Sequence, residues 1–283
     1  MAYQAPPLPY TAPPGSLPAP LPTLWQIKNP TAVLIWANWV NVVVVGHYYI
    51  VKFGRDVSLQ EGINMMFIRQ QTRVPVPRVY ALFSLQGENY IVQERIHGHP
   101  LSEIWHGFDY QQRMYVMEQI EGQLRELRSL PPPNRFGGVW GMPCGDAYLT
   151  LYDTAERMEP IATEMGWVAA FVEALELSHE ESYVPQEWLR PLVEAARLNR
   201  PPVFTHGDFH MGNIMVTWEG DVVIIDWEYA GWAPVYWERG CMMVGRSVDE
   251  WTEAIGEFLG TIEYAEEARS VVELVHWVFR PQF

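Results

Sequence analysis

The chain has 283 residues, 48% of them apolar and 13% aromatic, the composition of a packed globular protein rather than a disordered one. Its formal net charge of −15 argues against general nucleic-acid binding and against docking on an anionic membrane, both of which need Lys and Arg. Cys144 and Cys241 form neither a CxxC pair nor a Cys/His cluster, so no structural zinc site or disulfide framework is expected. No basic start precedes an apolar run at the N-terminus, and the most apolar stretch, residues 42–51, is too short to span a bilayer. A soluble, cytoplasmic protein is expected.

Residues 1–22 hold eight prolines and almost no charge. Proline removes backbone donors and fixes φ, so this arm is expected to be extended or disordered and outside the core, with a PxxP-type ligand as the alternative. From residue 32 to 53, β-branched and aromatic residues predict three antiparallel strands, 33–36, 40–45 and 48–53, with turns at Ala37-Asn38 and Gly46-His47. Ser58 then opens a helix. Ser58 and Glu61 match a capping box, Ile63, Met65, Met66, Phe67 and Ile68 supply apolar surface, and Pro75 and Pro77 end it. Residues 79–83 and 90–93 read as two more strands around Gln86-Gly87-Glu88, giving a small α+β lobe over residues 23–97.

After Gly98 the pattern changes. Met114, Met117, Ile120, Leu124 and Leu127 recur at helical spacing up to Pro131, and further helices are expected near 167–177 and 186–198. One β-like island, residues 203–226, contains a hairpin of 213–217 and 222–226 around Glu219-Gly220-Asp221. Residues 98–283 thus form a larger, mainly helical lobe, and the fold class is α+β with two lobes.

The chemistry lies in Phe204-Thr-His-Gly-Asp-Phe-His-Met-Gly-Asn213, followed by Ile224-Ile-Asp226-Trp-Glu228. Asp208 and Asn213 stand five apart on a loop between strands, and Asp226 is expected to end the next strand. Each alone is an ordinary turn or strand-end residue. Together, in this order, they resemble the catalytic and metal-binding loops of kinases. The form His-Gly-Asp-x4-Asn is similar to the aminoglycoside phosphotransferase and choline kinase branch, not to the His-Arg-Asp form of protein kinases. The wording at Val74-Pro-Val-Pro-Arg-Val79, Ser129-Leu-Pro-Pro-Pro133 and Asp226-Trp-Glu-Tyr-Ala-Gly-Trp232, then Tyr236-Trp-Glu238, resembles the fungal group of aminoglycoside-phosphotransferase-like proteins, from about residue 27 onward.

The resemblance implies a protein-kinase-like bilobal fold. It also implies transfer of the γ-phosphate of ATP, with Mg2+, to a hydroxyl or less readily an amine of a small metabolite or antibiotic-like compound. Magnesium prefers hard oxygen ligands, which suits Asn213 and Asp226. Asp208 would face the acceptor. A free Asp titrates near ~3.9, so its main contribution is orientation, with proton transfer late. His206 is expected to brace the loop.

In the small lobe Lys52 resembles the strand lysine that contacts the α- and β-phosphates. Glu61 resembles its helix partner, a role that competes with the Ser58 cap, and both readings stay open. The Glu94 carbonyl and Ile96 amide would meet the adenine edge through backbone. One departure stands out: the turn at Ala37-Asn38-Trp39 has no glycine, and Trp36 and Trp39 restrict close approach to phosphate. That feature favours the rival reading, a kinase-like scaffold that has lost or replaced phosphoryl transfer. A protein kinase is a poor rival, because the stretch from Asp226 to Pro234 leaves no room for a long activation segment. His97 and His99 are expected at a lobe junction, and Glu228 and Trp232 in the substrate pocket or in helix packing.

Overall fold

The β-branched runs of the first third pair into one antiparallel sheet in a computed structural model that describes residues 5–37, 39–143, 145–146, 148–149, 161–178, 184–244, 251, 254–255 and 264–279. Asn38, Cys144 and the first four residues of the arm lie outside these. The sheet has six strands in the order β1-β5-β6-β4-β3-β2. They are β1 (Tyr10–Thr11), β2 (Ala32–Trp36), β3 (Asn41–Val45), β4 (Tyr49–Gly54), β5 (Val79–Leu85) and β6 (Glu88–Glu94).

Helix α2 (Leu59–Gln71) packs on one face. Its N-cap Ser58 accepts from Gln60 N at 3.2 Å, so the predicted reciprocal capping box is not made. Glu61 turns instead to Lys52. The helix stops at Gln71, where Thr72 becomes extended, four residues before Pro75.

Side chains alternate across β4. Lys52 pairs with Ile91 and faces α2, whereas Tyr49, Val51 and Phe53 enter a separate apolar cluster on the outer face. The proline-rich arm covers that cluster, which corrects the expectation of a tail outside the core. Tyr10 and Thr11 keep their amides between prolines and pair with Leu82 and Ala81 as an edge strand. Ala12 is buried, Leu17, Ala19 and Leu21 pack on the sheet, and Tyr49 Oη donates to the Ala19 carbonyl. A short helix α1 (Leu24–Lys28), with a full Thr23–Gln26 capping box, leads into β2.

The chain leaves this sheet after Glu94 and joins a second one at β7 (Gly98–Pro100), which pairs with β9 (Ile214–Thr217) and through it β10 (Val222–Ile224). Gly98 is required at the join, because a Cβ there would stand 2.1 Å from the Val216 carbonyl oxygen. A third pair is β8 (Val203–Thr205) with β11 (Gly231–Ala233). Helices α3 (Leu101–Ile104), α4 (Tyr110–Arg128), α5 (Glu164–Ser178), α6 (Gln186–Ala196), α7 (Trp237–Val244) and α8 (Ala265–Phe279) complete the larger lobe among the described residues. Helix α4 starts at a capping box of Asp109 and Gln112 and buries Met117, Ile120, Leu124 and Leu127 of the predicted stripe; Val116 is buried in addition, and Met114 is only half-buried. One core runs from α2 and β5 through α4 to Phe204, Phe209 and Trp227, spanning both lobes; a second lies among α5 to α8.

Candidate active site

Lys52, on β4, is 7% exposed and is the centre of an acidic cluster. Its Nζ lies 2.8 Å from Glu61 Oε2, 2.9 Å from Asp226 Oδ1 and 3.6 Å from Glu228 Oε2. Burial alone would depress the ammonium. The three carboxylates, Glu61 foremost, outweigh it and hold Lys52 above its ordinary value and charged. Burial raises the Glu61 and Glu228 carboxyls, and the Lys52 charge pulls each back. Of the two readings of Glu61, the ion pair is the one realised.

Strand β10 ends at Ile224, two residues earlier than expected, because Asp226 takes a left-handed backbone (φ 62°). The departure turns its carboxylate back toward Lys52 and leaves the side chain 36% exposed. Three ties define the loop: Ile225 N donates to Asn213 O (2.9 Å), Trp227 Nε1 donates to Ile224 O (2.9 Å), and Asn64 reaches across from α2. Asn64 has 0% exposure, and its Nδ2 donates to Trp227 O (2.7 Å) and Ala230 O (3.2 Å).

The loop after β8 carries Asp208. Asn213 Nδ2 donates to both the backbone oxygen and Oδ2 of Asp208, each at 2.9 Å, so the two motif residues lock one another. His206 has 0% exposure and braces the loop as expected. Its Nδ1 accepts from Asp208 N (3.2 Å), so the proton sits on Nε2, which donates to Ile225 O (2.9 Å). Beneath it, the buried Glu238 of α7 accepts from His206 N (2.5 Å) and Gly207 N (3.2 Å). Burial raises the Glu238 carboxyl, with His206 opposing.

His210 Nε2 stands 3.6 Å from Asp208 Oδ2, in ion-pair range but too long for a hydrogen bond. Burial alone would raise Asp208; His210, then His206 and Asn213, bring it below the usual carboxylate range. Asp208 in turn raises His210.

Lys52, Glu61, Asn213, Asp208 and Asp226 are therefore joined by one contiguous set of contacts. Glu94 and Ile96 are not part of it. They sit where the chain passes between sheets, and the Glu94 carboxylate accepts from Arg78 N (3.0 Å). The glycine-free turn is clamped from below: Trp39 O accepts from Asp56 N (3.2 Å) and presses on Gly54 (φ 150°), where a Cβ would meet it at 1.9 Å. The missing glycine of the turn has a counterpart in the facing strand.

A family model described as the phosphotransferase enzyme family matches residues 31–270. The chain belongs to that family. Among solved structures, this phosphotransferase is similar to a thermostable mutant of aminoglycoside phosphotransferase APH(4)-Ia in its apo form, at 12% identity over 86% of this chain and 83% of that one, TM-score 0.62. It is similar to APH(2")-IIa in a ternary complex with streptomycin and ATP, at 15% identity over 92% and 89%, TM-score 0.58. It also resembles a putative fructosamine-3-kinase from Haemophilus somnus 129PT, at 13% identity over 88% and 85%, TM-score 0.57. At these identities the likeness shows the kinase-like fold alone. No curated protein matches the sequence. Among the described residues no helix is long and apolar enough to cross a membrane.

Asn64 and Glu238 bond the segments that carry Asp226 and Asp208 and were not singled out by sequence for that role. Both bond backbone atoms, and nothing in a sequence marks a backbone partner. The only hint for Asn64 is a polar residue inside the apolar run from Ile63 to Ile68.

Proposed function

We propose that this phosphotransferase transfers the γ-phosphoryl group of ATP to a hydroxyl, in preference to an amine, of a small molecule. The observation that carries the reading is the convergence of Lys52, Glu61 and Asp226, from three separate elements, beside an Asp208 that Asn213 holds in place. Three carboxylates around one ammonium leave two negative charges unbalanced when all are ionised, at a nearly buried point, which suits a divalent cation. Asp226 and the Asn213 amide oxygen are the hard ligands for Mg2+, and Glu228 adds a third oxygen within reach: one oxygen each from Glu61, Asp226 and Glu228 lie within 4.8 Å of one another. Magnesium held there would supply neutralisation of the charge on the transferred phosphoryl group.

Lys52, held charged by its carboxylates, contacts the phosphates. Glu94 and Ile96 offer backbone groups to the adenine. Asp208, kept ionised by its neighbours, orients the acceptor hydroxyl toward the γ-phosphorus and takes its proton on a carboxylate oxygen as the new O–P bond forms. The bond from the γ-phosphorus to the β-bridging oxygen breaks, and ADP leaves. Orientation of this kind can supply about 7–11 kcal/mol, against about 10²–10⁴-fold from general-base help.

The clamped, tryptophan-bearing turn at Trp39 favours a second reading, a kinase-like scaffold that binds without transferring. Thermal unfolding with Mg·ATP, followed by ATP-consumption screening against a metabolite panel, separates the two. A Tm rise with turnover on some acceptor supports transfer, a Tm rise without turnover supports the scaffold, and no shift at millimolar Mg·ATP refutes nucleotide binding altogether.

A further inference from the structure

A cavity of about 230 Å³ lies beside α2. Its walls are Phe67 from α2, Leu130 and the three prolines that follow α4, and Trp140 and Trp232. Phe67 meets Trp140 edge-on at 5.3 Å between ring centroids, so the apolar wall is aromatic and closely packed.

The polar groups on this wall share one character. Gln71, in the last turn of α2, and Trp140 both line the cavity, and Gln71 Nε2 and Trp140 Nε1 are buried with no hydrogen-bond acceptor. Both nitrogens are closed off from the cavity, so the group on this wall that a bound molecule can meet as a charged donor is Arg135. Arg135 also lines it, and among the described residues it has no carboxylate partner, although the protein is strongly acidic. No carboxylate is among the lining residues. The Arg135 guanidinium folds over Gly141, where a Cβ would stand 1.9 Å from Nη2. The glycine (φ 79°) leaves that space open to it.

We propose that this cavity is a binding site, separate from the phosphoryl-transfer centre, for a small carboxylate that carries an apolar ring. The ring packs between Phe67, Trp140 and the prolines, and the carboxylate accepts from the Arg135 guanidinium. A neutral apolar molecule would leave Arg135 without an acceptor, and a cation would face it. The site touches both ends of the apparatus: Phe67 and Gln71 stand on the helix that carries Glu61, and Trp232 on the strand that follows Asp226.

The test is titration of the full chain, nucleotide absent and then with saturating Mg·ATP, with benzoate, cyclohexanecarboxylate and 2-naphthoate, and with 2-acetylnaphthalene as neutral counterpart. Binding is read by calorimetry and ligand-detected NMR. The expected result is one saturable site for at least one of the acids, retained with Mg·ATP present, with the neutral ketone at least about tenfold weaker, which is ~1.4 kcal/mol. Arg135→Gln is expected to weaken the acid about tenfold, with its Tm measured alone to confirm folding. Failure of all three acids to bind at low millimolar concentration, equal binding of acid and ketone, or undiminished binding in folded Arg135→Gln overturns the proposal. None of these readouts depends on whether the protein transfers phosphate.

Discussion

Replacing Asn64 with Leu tests whether the Asp226 loop is positioned from α2. The side chain has 0% exposure, and its two donor bonds at 2.7 and 3.2 Å serve the carbonyls of Trp227 and Ala230, on the stretch that begins at Asp226. Its Oδ1 also accepts from Gln60 Nε2 at 2.8 Å. Leucine keeps the volume but orphans the Ala230 carbonyl and leaves Trp227 O with only the Ala230 amide, at 3.2 Å. A buried polar group left unsatisfied costs about 1–3 kcal/mol and a lost hydrogen bond about 0.5–1.5 kcal/mol, so the pair is worth roughly 1.5–4.5 kcal/mol, a large share of a typical total of about 5–15 kcal/mol. For a chain of this size each kcal/mol moves Tm by about 2–4 °C, and a fall of roughly 3–18 °C is expected.

The functional effect should be specific. A carboxylate displaced by about 1 Å can cost on the order of 10²-fold in rate. If Asn64 aims Asp226, the concentration of free Mg2+ needed for half-maximal activity rises, and excess Mg2+ partly restores kcat. Differential scanning fluorimetry gives the first quantity, and a Mg2+ titration of turnover on an acceptor found by screening gives the second. An unchanged Tm would refute the burial argument. A lower Tm with unaltered Mg2+ dependence, measured well below that Tm, would leave Asn64 a packing residue and refute the positioning role.

Three further outcomes are expected. Asp208→Asn should leave Mg·ATP binding intact and lower kcat by about two to four decades, while Asp226→Asn should weaken both together; equal loss of nucleotide affinity by calorimetry would contradict the division. His210→Gln removes the nearby cation that lowers Asp208, so the acid limb of kcat/KM should move to higher pH. The stability sign follows from the two shifts. Asp208, lowered, contributes above its unfolded value of about 3.9 and loses this as pH falls through its folded value. His210, raised, contributes below about 6.5 and loses this as pH rises through its folded value. The variant's Tm deficit should therefore be greatest between roughly pH 4 and 6.5 and fade at alkaline pH; a deficit independent of pH would refute the pairing. Deleting residues 5–22 should lower Tm by several degrees, because it uncovers Tyr49, Val51 and Phe53, yet leave KM for ATP unchanged, since Lys52 projects from the opposite face of β4. No loss of Tm would return the arm to the status of a tail.

Much of the fold was legible because its signals are local. The β-branched runs that became β2 to β6, the stripe from Met117 to Leu127 and the glycine turns carry their periodicity in adjacent residues. Asp208 and Asp226 were legible through the motif from His206 to Asn213, eight residues long, plus one strand. What escaped depends on partners far along the chain. Asn64 serves carbonyls 163 and 166 positions away, and Glu238 serves amides 32 and 31 positions away. The arm was misread for a different reason. Counting prolines registers lost donors but not the two amides of Tyr10 and Thr11 that remain, nor the apolar side chains spaced to cover a sheet face. Glu61 satisfied two patterns at once, and only the proximity of Lys52, nine residues earlier and on the facing strand, decides between them.

These long-range ties share a direction. Asp226 sits in a left-handed conformation that a non-glycine residue holds only where the surroundings over-determine it. Its loop is bonded on one side to Asn213, which also holds Asp208, and on the other to Asn64 of α2, whose Glu61 shares Lys52 with Asp226 itself. The contacts close a ring through both lobes, so a shift of α2 changes the Lys52 ion pair and the aim of the Asp226 loop together. A residue such as Trp39, clamped on Gly54 outside that ring, can differ from the glycine-rich pattern of other kinases without disturbing it. The glycine-free turn then bears on how phosphate is covered, while the ring through Asn64, Asp226 and Lys52 bears on whether the acceptor, the metal and the phosphate meet in register.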